Sequence, residues 1–160
     1  MSQSCIDCTQ RSDRVFCDLA PSALEAFDLI KSSQMIPRGA VLFREGQAPR
    51  GVFLLCEGRV RLSVCSENGR RMTLRTVTPG EVLGLSACLA GSGYEVTAEA
   101  IDNLRVAVVS RKDLLRFLRE HREACLHVVT LLSEDLHVAY DRVRSVGLGR
   151  VRRSRVPLAH

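Results

Sequence analysis

Three cysteines near the start of the chain, Cys5 and Cys8 separated by two residues and then Cys17, are the side chains whose type and spacing most directly suggest chemistry. Two thiolates spaced C-x2-C can grip zinc or cycle as a redox dithiol, and spacing alone does not choose between them. Cys88 follows a glycine turn and could add a ligand from the body of the protein. Cys56, Cys65 and Cys125 occupy strand or helix-seam positions and read as small buried hydrophobes. The four histidines, His121, His127, His137 and His160, all lie in the last quarter of the chain. His127 and His137 read as solvated surface residues. A histidine-lined metal site inside a β-barrel, as in cupins, is therefore excluded. No serine-nucleophile motif, Walker loop or Gly-x-Gly-x-x-Gly opening a helix is present, so the reading is a non-enzyme. Glu57 and Glu81 fall at turns and read as structural or solvent-facing.

The elements that would position these groups divide into two kinds. Of the eleven glycines, nine fall between Pro37 and Val109, punctuating short runs rich in Val, Leu, Phe and Thr. Runs of that length and composition are β-strands: Ala40–Phe43, Val52–Cys56, Arg59–Cys65, Arg71–Val77, Tyr94–Ala100 and Leu104–Val109. Glu67-Asn68-Gly69 marks a hairpin. Val60, Leu62 and Val64 alternate with Arg59, Arg61 and Ser63, which predicts a strand with one wet face. Before the strands, Pro21 opens a short helix with Leu24, Phe27 and Ile30 on one face, expected to lie across one end of the roll. After them, Ser110 and Asp113 form a capping-box-like start for another short helix.

A long helix follows. In it Cys125, Val129, Leu132, Leu136, Ala139, Val143 and Val146 are spaced 4, 3, 4, 3, 4 and 3, the a and d positions of a heptad repeat. Val128, Leu131 and Val138 offer a second apolar flank that can pack on the chain's own body. The a/d stripe is then left for a parallel homodimer through residues 125–146, and Gly147 and Gly149 are expected to end the helix. Four parts result: a cysteine-containing arm 1–20, a β-roll with flanking helices 21–120, a dimerisation helix 121–149 and a basic tail 150–160 that reads as disordered. The formal charge is +5, but Arg150, Arg152, Arg153 and Arg155 belong to that tail, and without them 19 basic residues face 18 acidic ones. Attraction to nucleic acid is thus a property of the tail. With no secretory signal and no apolar run of membrane-spanning length, the expected location is the cytoplasm, with no membrane partner.

The segments Pro37-Arg38-Gly39, Leu42-Phe43-Arg44-Glu45-Gly46-Gln47, Val52 to Val60 and Pro79-Gly80-Glu81-Val82-Leu83-Gly84 resemble the cyclic-nucleotide-binding domain of bacterial Crp/Fnr transcription regulators. The likeness runs from Leu24 to Gly149, about four-fifths of the chain. It implies a mainly β fold with helices: a jelly roll, or double-stranded β-helix, flanked by short helices and followed by a long C-terminal dimerisation helix. It also implies a winged helix-turn-helix, for which roughly seventy residues are needed. Only eleven residues follow Gly149. No specific DNA binding is expected of this chain alone, and mixed dimers with full-length relatives are one possible output.

In relatives that bind cyclic AMP, the resemblance implies a Gly-Glu-Leu turn for phosphate and ribose, an Arg-Ser pair for the phosphate charge, and two hydroxyl residues on the long helix for the purine. Here the turn is Gly84-Leu85-Ser86, the pair falls on Tyr94-Glu95, and the helix positions on Ala139-Tyr140. Leu85 cannot bind a ribose hydroxyl, and Glu95 repels a phosphate. Cyclic AMP is therefore not the expected ligand. Two readings stand: an unidentified small ligand near Gly84, Leu85, Ser86, Tyr94, Glu95 and Tyr140, or a pocket filled by side chains. Fnr-type members ligate an iron–sulfur cluster through N-terminal cysteines and one in the roll. By that resemblance Cys5, Cys8 and Cys17 form a candidate iron–sulfur or zinc site. The third spacing is longer than usual in that subgroup, and the fourth ligand falls on Ala107.

Overall fold

The computed structural model describes residues 19–151, with side chains through Val146. Cys5, Cys8, Cys17 and the tail beyond Val151 lie outside the described residues. The chain divides into two units, 1–127 and 128–160.

The first unit is two four-stranded antiparallel sheets. One has the order β1-β8-β3-β6, from Ser32–Ile36, Leu104–Ser110, Gly51–Glu57 and Val82–Leu83; the other has the order β2-β7-β4-β5, from Val41–Phe43, Thr97–Ala100, Val60–Cys65 and Arg71–Val77. Apart from the β4–β5 hairpin, consecutive strands alternate between the two sheets, which is the jelly-roll arrangement that the family resemblance implies. The inner faces close on Leu42, Phe43, Leu55, Val60, Leu62, Val77, Leu83, Ala98, Leu104 and Val106. Both faces of β3 are covered, because Val52, Leu54 and Leu55 are all buried and helix α3 (Arg111–Glu120) packs on β3 and β8. The turn Ser66–Arg70 joins β4 to β5 as a hairpin, held by the Gly69 N–H to the Ser66 carbonyl and the Ser66 N–H to the Arg70 carbonyl.

Three details of the roll depart from the sequence reading. Helix α1, Pro21–Ile30, buries Ala23, Leu24 and Phe27 while Ile30 is only half-buried, and its aromatic contact is with α3: Phe27 meets Phe117 edge-on at 5.7 Å. Ser63, expected to face water, is buried beside its register partner Thr97. β4 is an inner strand, and so short a side chain is covered by the strands on either side. Tyr94 precedes β7 instead of opening it; its backbone pairs with the loop at Gly46 and Gln47.

Ser110 caps α3, its Oγ accepting the Asp113 N–H at 3.2 Å. Helix α4 then runs from Arg122 to Val151, past both Gly147 and Gly149. Glycine inside a helix costs about 1 kcal/mol against alanine without forbidding it, and Leu148 and Arg150 favour continuation. Ala124 and Val128 are buried, and Leu131 and Leu132 half-buried. Val138, assigned to the flank that packs on the body, is 52% exposed. Along the a/d stripe Val129, Leu136, Val143 and Val146 are each more than half exposed in the single chain. None of the helices among the described residues is long and apolar enough to cross a membrane.

Candidate functional site in the β-roll

The turn before α2 (Leu85–Ala90) is built on Gly84, whose φ of +84° is a left-handed conformation that side chains resist. A Cβ there would also lie 2.9 Å from Tyr94 Cε1 and 3.3 Å from the Gly51 carbonyl oxygen. Three separate segments therefore converge: the start of β3, the turn before α2 and the loop before β7.

Tyr94 fills the space between them. Its ring stacks on Phe43 with centroids 3.9 Å apart and planes 16° from parallel. Its hydroxyl donates to the Gly51 carbonyl at 2.8 Å and accepts from the N–H groups of Arg50 and Gly51 at 3.3 and 3.4 Å. Burial pushes the phenol's pKa up, against the opposing hydrogen bond to Gly51. The far end of α2 is tied by Arg111, whose Nε donates to the Cys88 carbonyl at 2.6 Å while its backbone N–H reaches the Arg50 carbonyl at 3.1 Å.

Of the sequence-assigned residues, Gly84, Leu85 and Tyr94 come together, with Leu85 buried as an apolar residue. Ser86 and Glu95 are exposed. Tyr140 belongs to the helical unit, where it is 56% exposed. Sequence reasoning missed Phe43, Arg50, Gly51 and Arg111. Gly51 carried a signal in retrospect, a glycine opening a strand otherwise rich in bulky residues, which marks close backbone approach.

The cysteines differ from expectation. Cys65 and Cys125 are exposed and Cys56 is half-buried, so none of the three is a buried hydrophobe. Cys65 ends a strand next to a solvated hairpin, and the seam holding Cys125 is open in one chain. Cys88, considered as a roll ligand, is fully buried on α2, and burial pushes its thiol up to about 11, Arg111 partly opposing and Glu95 reinforcing. Ala107, at the fourth cluster position, is buried on β8 opposite Leu54. Among the described residues no group of three or more His, Cys, Asp or Glu could hold a metal ion. The cysteines that would hold most of a cluster lie outside the described residues, and the roll position that the resemblance assigns to the fourth ligand carries no thiol. His137 is exposed as expected, whereas His127 is half-buried. Glu81 is structural: burial disfavours its charge, but the Thr78 N–H and the Arg75 guanidinium outweigh that and lower its pKa.

The raised Cys88 pKa has a consequence for alkaline stability. Below pH 9, the ordinary value, the thiol is neutral folded and unfolded. Between pH 9 and 11 only the unfolded chain ionises, so stability falls as pH rises, by on the order of 2 kcal/mol in total. Urea melts at pH 8.5 and 10.5 should show a smaller loss in Cys88→Ala than in the parent. Equal losses would mean that the buried thiol ionises normally.

The comparisons with known proteins agree with the fold. Residues 33–121 match the family model described as a cyclic nucleotide-binding domain. The chain belongs to that family. Its relatives are Crp/Fnr-type transcription regulators. The transcriptional activatory protein AadR of Rhodopseudomonas palustris is 26% identical over 88% of this chain and 57% of its own length. The cyclic AMP receptor protein of Thermus thermophilus is 25% identical over 78% of this chain and 58% of its own length. Among solved structures, the catabolite activator protein of Thermus thermophilus superposes with a TM-score of 0.77 at 23% identity, covering 84% of this chain and 63% of that one. That likeness shows the fold. This cyclic nucleotide-binding domain chain spans less than three-fifths of the length of those two relatives.

Proposed function

We propose that this chain is the effector-sensing and dimerisation module of a Crp/Fnr-type transcription regulator, acting in the cytoplasm, and that cyclic AMP is not its effector. The observation that carries the dimer is the a/d stripe of α4, on which Val129, Leu136, Val143 and Val146 are each more than half exposed among the described residues. A second copy satisfies it with the same residues, as a two-fold interface requires. A longer relative with a matching stripe would fit the same seam.

The reading of the roll rests on what surrounds Gly84. A cyclic phosphate buried there would need a cation and several donors. The Leu85 side chain offers neither, Glu95 brings a like charge, and Tyr94 stands against Gly84. Calorimetric titration with cyclic AMP and cyclic GMP to millimolar concentration should give no saturable heat. A micromolar dissociation constant for either would overturn this part of the proposal.

A further inference from the structure

We propose that Tyr94 is a built-in occupant of the effector space, holding α2 in place with no ligand bound. The inference goes beyond the reading above and concerns the roll alone, so it is independent of dimer formation. A ligand that sets the position of α2 must bridge the Gly84 turn to the opposite wall and satisfy the polar groups between them. Tyr94 does each of these from within the chain. Its ring lies on Phe43 and against Gly84, and its hydroxyl closes on the Arg50–Gly51 backbone. Its own backbone is clamped, the Gly46 N–H donating to the Tyr94 carbonyl at 2.8 Å and the Tyr94 N–H to the Gln47 carbonyl at 3.0 Å.

The same Arg50–Gly51 segment also receives the Arg111 N–H, and Arg111 holds the last turn of α2 through the Cys88 carbonyl. Both ends of α2 are thereby fixed to the Arg50–Gly51 segment at the entry to β3, the first through the Tyr94 ring and the last through Arg111. Displacing the phenol leaves the Gly51 carbonyl buried without its donor, a cost that an incoming molecule must repay. An anion without an O–H or N–H cannot repay it, since the carbonyl needs a hydrogen-bond donor. A ligand able to replace Tyr94 combines a flat apolar body with a hydroxyl donor.

The test compares the full chain with Tyr94→Phe and Tyr94→Ala by thermal melting and amide hydrogen exchange over residues 85–91. Tyr94→Phe should melt roughly 3–10 °C lower and exchange faster in α2, since it keeps the ring and loses the donor. Tyr94→Ala should exchange at least tenfold faster there. Millimolar 4-methylphenol, the deleted side chain as a free molecule, should restore protection saturably, and toluene should restore less. Unchanged exchange over 85–91 in Tyr94→Phe would overturn the proposal even if Tyr94→Ala fails to fold, and so would a folded Tyr94→Ala that 4-methylphenol does not protect. Protection of the parent's α2 by cyclic AMP would instead overturn the reading of the effector.

Discussion

Replacing Leu132 and Leu136 together by aspartate should convert the protein from dimer to monomer. Both leucines belong to the a/d stripe, at adjacent layers of one seam, and Leu136 is 52% exposed in the single chain. In a parallel pair each layer buries the same side chain from both copies, so the double variant removes four leucines from one interface. Burying a leucine contributes about 1.5–3 kcal/mol, and the carboxylates that replace them lie close to their twins in a dry seam. Even a conservative loss of about 4 kcal/mol weakens the dissociation constant roughly a thousandfold. Sedimentation equilibrium at micromolar concentration should therefore report the single-chain mass, while circular dichroism still shows the β-roll. Thr130→Asp, off the stripe, should remain dimeric. A dimer that persists in the double variant would move the interface elsewhere.

Gly51→Ala should be the most damaging single methyl addition in the roll. The new Cβ would stand 2.4 Å from the Val109 carbonyl oxygen and 3.3 Å from Ser110 Cα, both backbone. No side chain can turn aside to relieve that contact. The start of β3 must then move away from β8, breaking the register of Gly51 with Ser110 and of Val52 with Val109. The same shift pulls the Gly51 carbonyl from the Tyr94 hydroxyl. We expect a loss of about 2–4 kcal/mol, or roughly 5–15 °C in melting temperature. A melting temperature within 2 °C of the parent, an about one-kcal/mol margin for a chain of this size, would mean that β3 and β8 part more easily than their ladder suggests.

Much of this fold is legible in the residues, and where it is not the reasons are physical. Arg71–Val77 is a strand over the range its composition gives, and the Ser110 cap and the a/d stripe lie where their spacing puts them. β1 is not legible: Ser32-Ser33-Gln34-Met35-Ile36 is an edge strand exposed along most of its length, so it carries no apolar alternation to read. β6 is two residues long and has no period at all. The helix end is misjudged because Gly147 and Gly149 weaken a helix without stopping it. Cysteine burial is misjudged because position in a strand does not specify which face is covered.

The candidate site shows the same division. Leu85, Tyr94 and Glu95 are visible as departures from the pattern that a cyclic phosphate needs, and they are the sequence argument against cyclic AMP. What the tyrosine does in place of a ligand depends on Phe43, Gly51 and Arg111. Those residues are distant in sequence and meet only through the sheet order, which sequence spacing does not reveal. The heptad is the converse case: a one-dimensional period specifies the stripe, and the second copy that covers it is part of the proposal.

Disulfide trapping at Cys125 tests that pairing most directly. Cys125 is exposed and heads the stripe at a d position, where a parallel, in-register pair brings the two side chains together within disulfide reach. With the other six cysteines replaced, Cys88 by alanine and the rest by serine, mild oxidation should convert most of the protein to a covalent dimer on a non-reducing gel. Moving the cysteine to position 134, on the opposite face, should abolish the product. Failure of Cys125 to cross-link, or equal cross-linking from position 134, would contradict a dimer built on this stripe.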